Sequence, residues 1–205
     1  MSKVFSYDSP VWIFMGRLID FLVLTILWAV TSLPIITMGT ATATVYDISL
    51  KMAENRDGYL FQMYFQTFGR LWKSTIKAWL AILVTGLILA GDIFICLRIK
   101  TPITTVFLAA FALVSIVYIL TTMYLLPTIT VLENTLLDNL KISFYLSIRY
   151  FGWSLLMLTI AACILTVGIF IFWPLLLLSI GLIAYLQSLI LNQIYTKQIQ
   201  NYKEL

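Results

Sequence analysis

Apolar residues in this chain come in stretches too long for the core of a soluble protein. Three runs contain no Asp, Glu, Lys or Arg: residues 21–46 (26 residues), 101–132 (32) and 150–196 (47). About 20 apolar residues as a helix cross roughly 30 Å of hydrocarbon, so the first two runs supply one span each and the third supplies two. A further apolar stretch at about 77–97 starts at Lys77 and contains one acid, Asp92. The pattern predicts five transmembrane helices, at about 18–38, 77–97, 104–126, 153–172 and 174–193. Pro34 and Gly39 mark the predicted exit of the first, and Pro127 the close of the third. As one helix the 47-residue run would be about 70 Å long, so Trp173-Pro174 divides it, because proline removes a backbone donor there. The alternative is a kinked pair with a re-entrant bend.

Two segments between the spans have helical periodicity. Leu60, Tyr64, Phe68 and Leu71 fall on one face, opposite Gln62, Gln66, Arg70 and Lys73. In the second segment Leu136, Leu140, Phe144, Ile148 and Phe151 form a stripe opposite Asp138, Lys141, Tyr145 and Arg149. Such helices either lie along the bilayer with basic residues toward headgroups, or present anchors to a groove on another protein. The candidate partner-binding residues are Phe65, Phe68, Arg70, Trp72, Phe144, Arg149 and Phe151. The turn 54–58, Glu54-Asn55-Arg56-Asp57-Gly58, precedes the first of these helices, with Gly58 as its expected cap. Spans one and three also end in a shared word, Leu33-Pro34-Ile35-Ile36-Thr37 and Leu126-Pro127-Thr128-Ile129-Thr130, and the Phe65/Arg70 spacing returns as Phe144/Arg149. These echoes raise a parallel duplication, about 18–97 and 104–172 with a final span at 174–193, inside one integral membrane domain, 1–205.

Composition agrees with the pattern: 61% of residues are apolar or aromatic and 11% charged, against about a quarter charged in globular chains. The fold class is all-α, a polytopic helical membrane protein with about five transmembrane helices and two cytoplasmic amphipathic ones. Charge position predicts orientation. Lys51, Arg56, Arg70, Lys73, Lys77, Lys141, Arg149, Lys197 and Lys203 fall on one side, and Lys3, Arg17, Arg98 and Lys100 on the other. Nine against four places the long loops and C-terminus in the cytoplasm and the N-terminus outside, unless a short Trp12-Ile13-Phe14 helix lies along the interface. The opening segment reads as a retained span and not a removable signal, since no small-residue exit follows it.

The chain has no histidine, which withdraws the commonest general base and the usual zinc ligand. Neither catalytic nor phosphate-binding motifs occur, so no catalytic residue, metal ligand or cofactor is expected. Cys96 and Cys163 read as buried structural thiols. Scattered Lys and Arg give a net charge of +4, which suits anionic lipid and not nucleic acid. Asp92, about 8 Å from the outer end of its span, is either a coupling carboxylate or an interfacial partner of Arg17 or Arg98. Asn192, Gln187, Ser179 and Thr166 are a sparse lining for a permeation path.

Residues Leu27-Trp28, then Ser32-Leu33-Pro34-Ile35-Ile36-Thr37-Met38-Gly39, Ala41, Tyr46, Leu50-Lys51, Gly58-Tyr59, Phe65 and Phe68 resemble the N-terminal signature of the YesL family, small bacterial multi-pass membrane proteins. The likeness covers about residues 18–79. Thr40 and Asp47 depart from it, standing where a small residue and an aromatic or apolar one are expected. The resemblance implies an association with carbohydrate ABC importers, hence an accessory or scaffolding subunit that meets the permease or ATPase. A standalone small-solute transporter is the alternative.

Overall fold

In the computed structural model, backbone is described for residues 10–203 except 55, 57, 100, 101 and 133, and side chains within that set from 15 to 196 except 102. The side chains of Lys3, Lys100, Lys197 and Lys203 in the charge count, and of Trp12-Ile13-Phe14, fall outside it. Seven α-helices follow one another with no strand among the described residues: α1 (Pro10–Thr31), α2 (Met38–Ala53), α3 (Leu60–Arg98), α4 (Pro102–Val131), α5 (Leu136–Arg149), α6 (Phe151–Phe170) and α7 (Leu176–Lys203). A 3₁₀ turn, Trp173–Leu175, joins α6 to α7, so Pro174 divides the long apolar run as the sequence predicts. Among the described residues four stretches are long and apolar enough to cross a membrane: Leu60–Arg98, Ile103–Val131, Phe151–Phe170 and Trp173–Thr196.

Four boundary features differ from expectation. Pro127 does not close α4 but sits inside it. Leu132 N–H still reaches Thr128 O at 2.8 Å, so the helix absorbs one missing donor and runs on for another turn. Gly39 is not an exit either; it lies in the first turn of α2, where a Cβ would come within 2.5 Å of the Trp79 side chain. Only a residue without a side chain lets α2 and α3 approach that closely. In addition, the amphipathic segment near residue 60 and the predicted second span are one unbroken helix of 39 residues. Gly58 is not a cap: Glu54 caps α2, donating to Leu50 O at 3.1 Å, and Tyr59 is the N-cap of α3.

The centre of the bundle is α2, which falls where a cytoplasmic segment is expected. Eleven of its 16 residues are buried, and α3, α4 and α7 all pack on it. Leu24, Val45, Ile48, Met52 and Tyr64 form the apolar layer between α1, α2 and α3; Ala43, Leu71, Leu125 and Ile129 form that between α2, α3 and α4. A third layer holds Leu50, Tyr124, Leu146, Met157 and Leu191. On the far side α1 meets α7 at Gly181, where an added Cβ would stand 2.6 Å from Phe21 O.

Candidate functional site

Small polar residues let helices approach closely, and α2 carries them in quantity: Thr40, Thr44, Asp47 and Ser49 are all buried. Asp47 organises the charged end of the bundle. One helical turn on, Lys51 Nζ lies 2.6 Å from its Oδ2. Running antiparallel beside α2, α3 brings Thr67 Oγ1 to 3.3 Å of the same oxygen and Arg70 Nη2 to 3.1 Å of Oδ1. A carboxylate exposed by only 6% is costly to desolvate unless paired and hydrogen-bonded, and here both oxygens are engaged. This cluster borders a cavity of about 310 Å³, walled also by Glu54, Thr130 of α4 and Asn192 of α7.

Hydrogen bonds tie the adjoining layers. Tyr46 donates to Gln187 Oε1, and Gln187 Nε2 donates to Met157 O at 3.2 Å. Tyr124 and Ser154 hydroxyls meet at 2.9 Å, and Thr128 and Tyr195 at 3.0 Å. Burial pushes the Tyr46 phenol well above its ordinary range, so it remains a neutral donor at any physiological pH. The interior is thus more polar than the four expected residues suggest. Gln187 and Ser179 are buried and Asn192 lines the cavity, whereas Thr166 is exposed.

The aromatic–basic residues divide into two groups. On α3, ring centroids step from Phe61 to Phe65 at 5.0 Å and from Phe68 to Trp72 at 5.6 Å, with Tyr64 joining Phe65 and Phe68 at 5.7 and 6.2 Å. Phe61, Phe65 and Trp72 are exposed, while Arg70 leaves this face for Asp47. On α5, Arg149 stacks over Tyr145 at 5.6 Å and Tyr150 at 5.9 Å, and donates to the Tyr145 hydroxyl. That hydroxyl holds its guanidinium pKa above the usual value. Phe144 and Phe151 are exposed nearby. No hydrogen bond, ion pair or ring contact joins the two groups among the described residues. The predicted apolar stripe of α5 is also rotated: its buried face is Asn139, Ser143, Leu146 and Ser147, and Phe144 and Ile148 point outward.

Asp92 forms no ion pair among the described residues. Arg98 stacks over Phe94 at 5.1 Å and Arg17 lies over Tyr185 at 6.0 Å, so neither expected partner is directed to it. Cys96 and Cys163 are free thiols; Cys96 is half-buried and Cys163 exposed on the apolar surface, which corrects the buried placement.

The corner between α1 and α2 is built by the Leu33–Gly39 word. Thr37 Oγ1 lies 2.5 Å from Thr31 O and 2.7 Å from Pro34 O, and Trp79 Nε1 donates to Ile35 O at 2.7 Å, over the place where Gly39 leaves room. The profile of the family described as "Protein of unknown function, DUF624" matches residues 21–93, which hold that corner, all of α2 and most of α3. "Uncharacterized protein YesL" of Bacillus subtilis is 26% identical over 149 residues, covering 72% of this chain and 70% of its own. Both likenesses support membership of the YesL family. No solved structure matches the chain. The two departures from the signature acquire places: Thr40 is fully buried with an unpartnered hydroxyl, and Asp47 holds the ion cluster. Sequence reasoning treated Asp47 as an anomaly and passed over Lys51, Glu54 and Asn192 as a set. The available signal was an acid–base pair four residues apart on a helix otherwise without charge.

Proposed function

We propose that this chain is a non-catalytic accessory or scaffolding membrane subunit of a bacterial carbohydrate ABC import system, docking the permease or ATPase through its aromatic–basic helices on the cytoplasmic side. The observation that carries the reading is the row of Phe61, Phe65 and Trp72, exposed on the N-terminal part of α3. Thirty-nine residues make a helix of about 58 Å, nearly twice the hydrocarbon thickness, so an untilted α3 extends well past the bilayer. Large aromatic side chains held in a rigid row on such an extension supply anchor area at little entropic cost. Arg149 with Phe144 and Phe151 adds a second, basic patch. Pull-down from solubilised membranes through a tagged chain is expected to recover an ABC permease or ATPase, and Phe65→Ala with Trp72→Ala to lose it. Recovery of neither subunit, with glycan uptake unchanged on deletion, rejects the proposal.

A standalone small-solute transporter is favoured by one observation, the unpartnered buried hydroxyls of Thr40 and Ser49 on α2 and Ser188 on α7. Solute flux through the purified chain in liposomes would select that reading.

A further inference from the structure

We infer that the cavity where α2, α4 and α7 converge binds a phosphate-type anion, supplied free or as a phospholipid headgroup. Three cations line it, Lys51, Arg56 and Arg70, against two carboxylates, Asp47 and Glu54. Both oxygens of Asp47 are already taken, Oδ2 by Lys51 and Thr67 and Oδ1 by Arg70, and Glu54 pairs with Arg56. An ammonium has three N–H donors and a guanidinium five. Lys51, Arg56 and Arg70 each spend one in these bonds and keep the rest. Asn192 adds an amide whose side chain has no hydrogen bond among the described residues. Donors therefore remain after the acceptors of the cavity are used.

The opposing influences are the C-terminal ends of α4, at Thr130 and Val131, and of α2, at Leu50 to Glu54, each worth about half a negative charge. A surplus of one cation, three less two, offsets both, and Leu50 O and Lys51 O are already engaged by the Glu54 and Arg56 N–H groups, so the uncommitted donors decide in favour of an anion. The donors approach from α2, α3 and α7, a spread that suits the several acceptor oxygens of a tetrahedral anion better than a halide, which has no directional acceptors. A volume of about 310 Å³ is at the small end of ligand pockets and admits a phosphate with a short attachment. Asp47 fixes Lys51 and Arg70 in place without itself facing the ligand with a free oxygen.

Calorimetric titration of the full chain in detergent tests the assignment, with inorganic phosphate compared with chloride at equal ionic strength. Saturable phosphate binding is expected, weakened roughly tenfold or more by Lys51→Gln or Arg70→Gln, as loss of a charge-assisted hydrogen bond dictates. Asn192→Leu, which obstructs the cavity and leaves the ion cluster untouched, is expected to weaken it as well, and Arg98→Gln, at the other end of α3, to leave it unchanged. In a parallel arm, native mass spectrometry from nanodiscs compares retained phosphatidylglycerol with phosphatidylcholine. Phosphate saturation assigns the free anion; phosphatidylglycerol retention that Lys51→Gln abolishes assigns the headgroup. Equal responses to phosphate and chloride, together with equal lipid retention by the native chain and both charge variants, overturn the inference.

Discussion

The N-terminal part of α3 and the α5–α6 pair contain the same spaced Phe and Arg, yet one is a single helix and the other is two. Past Arg70, α3 continues without a break, and its Tyr64, Thr67, Leu71, Thr75 and Ala78 form a continuous buried face against the bundle. Past Arg149, Tyr150 leaves helical geometry at φ −110°, ψ 37°, and α6 restarts at Phe151. The arginines diverge accordingly: Arg70 turns in to a buried carboxylate, Arg149 turns out to two tyrosines. Helix continuity follows from what the next two turns have to pack against, not from the local word.

That contrast can be broken most severely at Leu71, which follows Arg70 as Tyr150 follows Arg149. Leu71→Pro is expected to cost at least about 3 kcal/mol in thermal unfolding in detergent, since it removes a helix bond and a buried leucine together. Tyr150→Pro, at an existing break, should cost less, about 2 kcal/mol, through the lost Tyr150 N–H to Leu146 O bond of 2.9 Å and the shift of φ from −110° toward the value that proline imposes. Similar losses from both would refute the distinction. Asp47→Ala comes next, at about 1–3 kcal/mol, because Lys51 and Arg70 lose their shared partner but still reach solvent. Arg149→Ala, its counterpart, should leave the unfolding midpoint unchanged in the same measurement, since the side chain lies at the surface. On α5, Ser143 is buried with its hydroxyl unpartnered, so Ser143→Ala should be neutral or stabilising by up to about 1 kcal/mol. A clear loss there would indicate a bond from that hydroxyl.

Much of this arrangement is legible in the sequence. Charge-free runs locate the helices, and Trp173-Pro174 the turn that folds the last run back, because span length and a missing backbone donor are local properties. The buried role of α2 is not legible in that way. Its 16 residues lack a strong apolar stripe, since a helix enclosed by three others buries Thr, Ser and Ala as readily as Leu. Pro127 misled for a related reason: the helix containing it is held from outside, by α5 and by the Thr128–Tyr195 bond to α7. Within the candidate site, Arg70 was visible as a basic residue on an amphipathic helix, but the direction it takes depends on Asp47, 23 positions earlier. Only the antiparallel register of α2 and α3 brings the two together.

The unbroken length of α3 has a mechanical consequence. A helix about 58 Å long acts as a lever, so a tilt of about 5° about one end moves the other by roughly 5 Å, a full helical turn. Phe94 and Phe61 stand near the two ends of that lever, and Asp47 holds it between them through Arg70.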